Sequence, residues 1–303
     1  MRIPSIRSRK PAGPPAPFIV GVTRSGTTLL RLMLDAHPDL AIPPETHFVP
    51  QLIRKTGKRG ISCEEAHGVV TGHRQWGDFG LDSGELLRRY CELDQIDPES
   101  TVRTFFELYA EREGKPRWGD KTPNYVKRMR QIERTIPEAR FIHMIRDGRD
   151  AALSRFKRLL KDPPPIEQVA GRWVKKIEGA RDDARKLDGY LEVSYEDLVR
   201  DTETQLKRVC EFIELPWDPR ILRYYERADE RLAEMTRDLP GDDGKPMRPA
   251  DHRKEAHLLT RKPPDPSRLA RWKQDMDPAD NEVFERVAGD MLSELGYELV
   301  TRS

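Results

Sequence analysis

The run Phe18-Ile19-Val20-Gly21-Val22 is apolar and β-branched, follows Pro17, and stops at the small polar stretch Thr23-Arg24-Ser25-Gly26-Thr27-Thr28. Leu29, Leu30, Leu32, Met33 and Leu34 come next, until His37-Pro38 breaks the pattern. A short buried strand, a glycine-bearing turn and a helix, in that order, leave few folds open. The order repeats. Phe141–Ile145 is a second apolar run, followed by Arg146-Asp147-Gly148-Arg149 and a helix carrying Ala151, Ala152, Leu153, Phe156 and Leu159. A third strand is expected near Tyr190–Val193, ahead of a helical stretch from Glu196 to Phe212. Strands alternating with helices predict an α/β fold, a central and mainly parallel sheet with helices on both faces in three layers, with helical insertions.

The rest of the chain organises around that frame. Residues 1–17 carry Arg2, Arg7, Arg9 and Lys10 and then Pro11–Pro17 in place of the apolar segment of an export signal, so they read as a flexible leader. Residues 18–303 read as a single domain. Weak apolar stripes predict helices over Thr101–Glu111 and Gln168–Leu187, and a stronger one predicts a closing helix over Asp280–Leu295. Residues 238–266 are mostly charge and proline and are expected to form a mobile loop or flap.

Composition excludes two partner classes. The 54 Lys and Arg against 52 Asp and Glu leave a net charge of +2, which gives no electrostatic case for nucleic acid. The longest apolar runs are about five residues, against the ~20 of a spanning helix, so stable membrane insertion is not expected. Cys63, Cys91 and Cys210 include no Cys-x-x-Cys pair and are expected to stay unpaired in a reducing cytosol, giving a cytoplasmic protein. Cys63, His67 and His73 lie close in sequence, but no second cluster completes four ligands, and no metal is expected.

Two strand ends carry anion-binding chemistry. Gly21–Thr28 matches G-x-x-x-x-G between strand and helix, where backbone N–H groups and the helix start favour a negative group. Thr27 stands where a nucleotide-phosphate loop would carry lysine, and Arg24 supplies the cation from inside the loop. At the second strand end, Arg146, Ser154 and Arg158 offer a guanidinium, a hydroxyl and a second guanidinium suited to a phosphate, unless Arg146 simply pairs with Asp147 or Asp150. Two such sites fit a nucleotide charged at both its 5′ and 3′ ends. A kinase using Mg-ATP is the alternative, with Asp147 in the place of a metal-holding aspartate; the missing lysine and the adjacent Arg146 weigh against it. A non-catalytic nucleotide-binding protein is the third reading.

These motifs resemble the sulfotransferases that use 3′-phosphoadenosine 5′-phosphosulfate (PAPS). The stretch from Arg24 through Pro38, then Glu45-Thr46-His47-Phe48-Val49-Pro50 and Lys121-Thr122-Pro123, is most similar to the tyrosylprotein branch. The resemblance implies a P-loop-like fold, PAPS as donor, adenosine 3′,5′-bisphosphate as product, and no metal. It implies that Arg24, Ser25, Gly26, Thr27 and Thr28 hold the 5′ phosphosulfate and that Arg146, Ser154 and Arg158 hold the 3′ phosphate. Tyr195 matches a nucleotide-contacting tyrosine and Lys262 a late basic residue that closes over the donor. Glu45 matches the catalytic base and Lys121 the catalytic lysine, with Arg24 steadying the sulfuryl oxygens. Secretory members of that branch carry a membrane anchor and paired cysteines. Neither is read here, so a bacterial-type enzyme with a small-molecule hydroxyl acceptor is expected, with homodimer formation left open. Acceptor contacts are expected from residues 50–116 and 238–266, with Trp118 as a candidate.

Overall fold

A computed structural model describes residues 13–58, 60–159, 163–234, 239–240, 246–248 and 258–300. Its centre is a four-stranded parallel sheet. β1 (Ala16–Gly21) lies in the middle, paired on one side with the two-residue β4 (Asp120–Lys121) and on the other with β5 (Ala139–Ile145), which pairs with β6 (Tyr190–Ser194). β2 (Leu40–Ala41) and β3 (Arg117–Trp118) form a separate parallel pair. The α/β expectation holds, with β1 starting two residues earlier than the apolar run suggested, so that Ala16 and Pro17 belong to the sheet rather than to a leader.

Period-two alternation assigns each strand residue to a face. Phe18, Val20 and Phe141 pack on one side against Phe48, Phe105, Phe106 and Tyr109, which come from or flank α2 (Val49–Thr56) and α5 (Pro98–Arg112). Ile19, Ile142, Met144 and Val193 pack on the other side against the leucines of α1 (Thr27–Asp35) and against α9 (Tyr195–Arg200) and α10 (Thr202–Phe212). The helix expected over Glu196–Phe212 is therefore two helices, because Asp201 leaves helical geometry and its side chain caps α10 at the Thr204 N–H. A third cluster joins α7 (Gly148–Leu159), α8 (Ile166–Ala184) and the closing helix Pro278–Glu294 through Trp173, Trp272 and Phe284. Each fully buried aromatic or leucine contributes about 1.5–3 kcal/mol relative to exposure, so all three clusters hold the sheet in place.

One expectation fails here. Cys63 and Cys91 are joined by a disulfide: Cys63 opens α3 (Cys63–Thr71), Cys91 closes α4 (Ser83–Cys91), and the packing of these two helices brings the ends together. The bond removes Cys63 as a metal ligand and removes the argument from unpaired cysteines for a reducing cytosol; Cys210 is a buried free thiol. Trp118, a candidate for the acceptor, is packed in the core, stacked on Phe106 at 4.7 Å. Most of residues 238–266 lies outside the described residues; Leu239–Pro240 pairs antiparallel with Pro246–Arg248. Among the described residues, no helix is long and apolar enough to cross a membrane.

Candidate active site

The loop after β1 is shaped by backbone before it is shaped by charge. The Ser25 N–H bonds the Val22 carbonyl at 3.1 Å, with Arg24 at φ 74° and Gly26 at φ 93°, both in the left-handed region. Arg24 meets a steric cost there that glycine avoids, of about 1–3 kcal/mol, and such strain gathers at ligand sites. Gly26 is required for a second reason: a Cβ on it would lie 2.4 Å from the Tyr195 ring. The first turn of α1 then presents N–H groups without intrahelical partners, and no acidic side chain lies in that turn. Ser25 is fully buried, and its Oγ has no hydrogen-bond partner.

The second strand end meets this loop directly. Arg24 Nε donates to Ser154 Oγ at 3.0 Å, and Arg146 Nη1 donates to the Arg24 carbonyl at 3.2 Å. Arg146 also lies 4.4 Å over the Tyr195 ring and 3.6 Å from Asp150, while its buried Nε has no hydrogen-bond partner. Arg149 has the opposite character. It is fully buried, paired with Asp147 at 2.8 Å and Glu285 at 2.6 Å, and stacked 3.5 Å over Trp272. Of the two arginines, Arg149 carries structure and Arg146 keeps donor capacity. The orphaned Ser25 Oγ and Arg146 Nε beside a left-handed glycine cradle fit a doubly charged anionic nucleotide.

Three expected residues complete the picture differently. Tyr195 opens α9 and packs its ring between Gly26 and Arg146. The backbone of Arg158 is in α7, but its side chain lies outside the described residues. Lys262 is exposed, and its carbonyl accepts a bond from the Tyr224 hydroxyl at 2.6 Å.

Glu45 and Lys121, the two residues expected to be catalytic, are brought together. β4 sets Lys121 directly opposite Ile19 of β1, and Lys121 Nζ lies 2.7 Å from Glu45 Oε1 and 3.4 Å from Thr28 Oγ1 of the loop helix. Lys121 is 1% exposed, whereas the Glu45 side chain retains 30%. Burial alone would raise the Glu45 pKa, but the Lys121 charge and the His47 hydrogen bond outweigh it and hold the carboxyl well below the usual range. Burial lowers the Lys121 pKa, against the opposing pull of Glu45.

His47 went unnoticed in the sequence as a site residue. Its Nε2 lies 2.8 Å from Glu45 Oε2, its backbone is left-handed at φ 45°, and its ring stacks on His73. Burial, with His47 nearby, lowers the His73 pKa to about 4. The available signal was the two-residue spacing from Glu45, since the turn at His47 brings its ring back to that carboxylate. Beneath them Asp120, fully buried, accepts from Thr46 Oγ1 at 2.8 Å, and burial pushes its carboxyl up to about 7.

Comparison with known proteins bears on the family and the fold. The sulfotransferase family model matches residues 15–219. The chain is similar to protein-tyrosine sulfotransferase A of Caenorhabditis elegans, 29% identical over 237 residues that cover 74% of this chain and 56% of that protein. It is similar to human protein-tyrosine sulfotransferase 1, 27% identical over 226 residues, 70% of this chain and 54% of that one. It thus spans about half the length of these curated relatives. The sulfotransferase domain of the Synechococcus PCC 7002 olefin synthase superposes with a TM-score of 0.61 at 26% identity, covering 96% of this chain and 98% of that one. The sulfotransferase domain from the curacin biosynthetic pathway shares the fold, with a TM-score of 0.63 at 22% identity over 95% and 99% of the two chains.

Proposed function

Since the chain belongs to the sulfotransferase family, we propose that it moves a sulfuryl group from PAPS to an acceptor hydroxyl, with Glu45 as base and Lys121 at the leaving oxygen. The observation that carries this reading is the Glu45–Lys121 pair at 2.7 Å, one hydroxyl away from the anion loop through Thr28. A protein that only bound the nucleotide would need the loop and Arg146 and would have no use for that pair.

Arg24, Ser25, Gly26, Thr27 and Thr28 hold the 5′ phosphosulfate in this reading; Arg146, Ser154 and Arg158 hold the 3′ phosphate, with Tyr195 and Lys262 flanking the nucleotide. PAPS, when bound, supplies the activated sulfuryl group. The chain supplies the proton handling. While Lys121 is paired with it, Glu45 is a weak base. Lys121 reaches Thr28 as well as Glu45, so an ammonium drawn toward the loop releases the carboxylate, and Glu45 regains the basicity to take a hydroxyl proton. His47 keeps Oε2 engaged and so fixes which oxygen turns to the acceptor. Arg24 and the helix start offset negative charge on the sulfuryl oxygens.

The acceptor in this reading is a small molecule; a tyrosine side chain of a protein is the second reading, favoured by what the curated relatives are named for. Calorimetry tests the donor assignment. Adenosine 3′,5′-bisphosphate is expected to bind with equal affinity with and without Mg²⁺, and ATP to bind poorly. Mg²⁺-dependent ATP binding without bisphosphate binding would favour the kinase reading.

A further inference from the structure

Beside the donor cradle lies a cavity of about 550 Å³, within the usual range of small-molecule sites. One wall is Val22 and Thr23, the two residues before Arg24; another is Val126 and Lys127, at the end of the turn Pro123–Lys127 that follows Lys121 and Thr122. Helices α7 and α8 close it with Ala152, Val169, Trp173 and Ala180. Among the described residues, none assigned to the donor lines it. The Trp173 indole N–H is already engaged by the Arg146 carbonyl at 3.2 Å, so what this residue can offer a ligand is apolar surface.

The lining is charged on one sign only in the main. Among the described lining residues, Lys127, Arg172, Lys175 and Lys176 contribute four cations, against the single carboxylate of Asp183. Lys127, Arg172 and Lys175 are exposed. An apolar floor with a cationic lip selects a ligand that is apolar along its body and negative at one end.

We propose that this cavity takes the acceptor, and that the acceptor is a small amphipathic anion: an aryl- or alkyl-sized body with a hydroxyl at one end and a carboxylate or comparable anion at the other. The proposal rests on the sulfotransferase reading, because only that reading makes a cavity flanked by the Arg24 and Lys121 segments an acceptor site. It differs from the segments expected in the sequence, since among the described residues none of 50–116 or 238–266 contributes to this lining.

The test uses a matched pair of probes, 3-(4-hydroxyphenyl)propanoate and its methyl ester, titrated calorimetrically into the full chain with and without saturating adenosine 3′,5′-bisphosphate. The acid is expected to bind about tenfold more tightly than the ester, the size of one charge-assisted contact. Lys127→Glu with Lys175→Glu should bring that ratio toward unity or reverse it. Gly179 lines the cavity, and a Cβ placed on it meets nothing within 4 Å, so Gly179→Trp should fill the space and weaken both probes while Gly179→Ala leaves them bound. Bisphosphate affinity reports folding and the donor site in every variant. Equal affinities for acid and ester, or binding indifferent to Gly179→Trp, overturn the proposal. So does a glutamate-flanked tyrosine peptide that accepts sulfate from PAPS unaffected by Gly179→Trp. Failure of the sulfotransferase reading shows separately, as loss of bisphosphate binding in the unaltered protein.

Discussion

The two halves of the site prepare for their work in opposite ways. On the donor side, Ser25 Oγ and Arg146 Nε are buried without partners, and a loop with Arg24 and Gly26 in the left-handed region leads into the start of α1. On the catalytic side, Lys121, Glu45 and His47 satisfy one another within 2.8 Å. A phosphate site gains from donors fixed before the ligand arrives, since nothing need reorganise. A base and an acid held that close neutralise one another, and work only after the pair is separated. On the proposed function, the donor side is therefore preorganised, and the Glu45–Lys121 side is latched until the ligand competes for Lys121.

Breaking the latch should have the largest effect. Glu45→Gln and Lys121→Met are each expected to lower turnover by about 100-fold or more, with Glu45→Gln leaving bisphosphate affinity nearly unchanged. Near-normal turnover of Glu45→Gln on the true acceptor would assign the base elsewhere. The donor side should respond in affinity. Arg146→Ala is expected to weaken adenosine 3′,5′-bisphosphate by about 10- to 100-fold and adenosine 5′-phosphosulfate only slightly; equal losses would make Arg146 structural, like Arg149.

The smallest expected effect concerns pH. Asp120 has a raised pKa in the folded protein, so the native state holds its proton more tightly than the unfolded chain does. Stability on this account is full below the unfolded value, near 3.9, falls as pH rises, and levels off above about 7. Urea unfolding should therefore show the unaltered protein losing about 1–2 kcal/mol more than Asp120→Asn between pH 6 and pH 8. Parallel pH profiles for the two proteins would mean that Asp120 is ionised in the fold throughout.

The donor half was legible in the sequence because its information is local. A strand, a glycine turn and a helix are contiguous from Ala16 to Asp35, and Arg146 follows its strand directly. The catalytic half draws on segments 76 residues apart, and its key strand is the two-residue β4, too short for any periodicity to register. Glu45 and Lys121 were reached through family resemblance, and His47 was missed. The disulfide was illegible for a similar reason: 28 residues separate Cys63 from Cys91, and only the docking of α3 on α4 pairs them. The split of Arg146 and Arg149 into a ligand-facing and a structural arginine depends on Glu285 and Trp272, more than a hundred residues away.

The pairing of Ile19 with Lys121 across the parallel ladder has one more consequence. The spacing of the β1 and β4 backbones that lead into the anion loop and carry Lys121 is inherited from the interstrand repeat of a β-sheet, ~4.8 Å, which side-chain identity barely alters. It acts as a ruler built from peptide bonds. The surrounding helices can be rewritten to admit new acceptors without recalibrating it, as long as two residues of β4 keep their rung on the ladder.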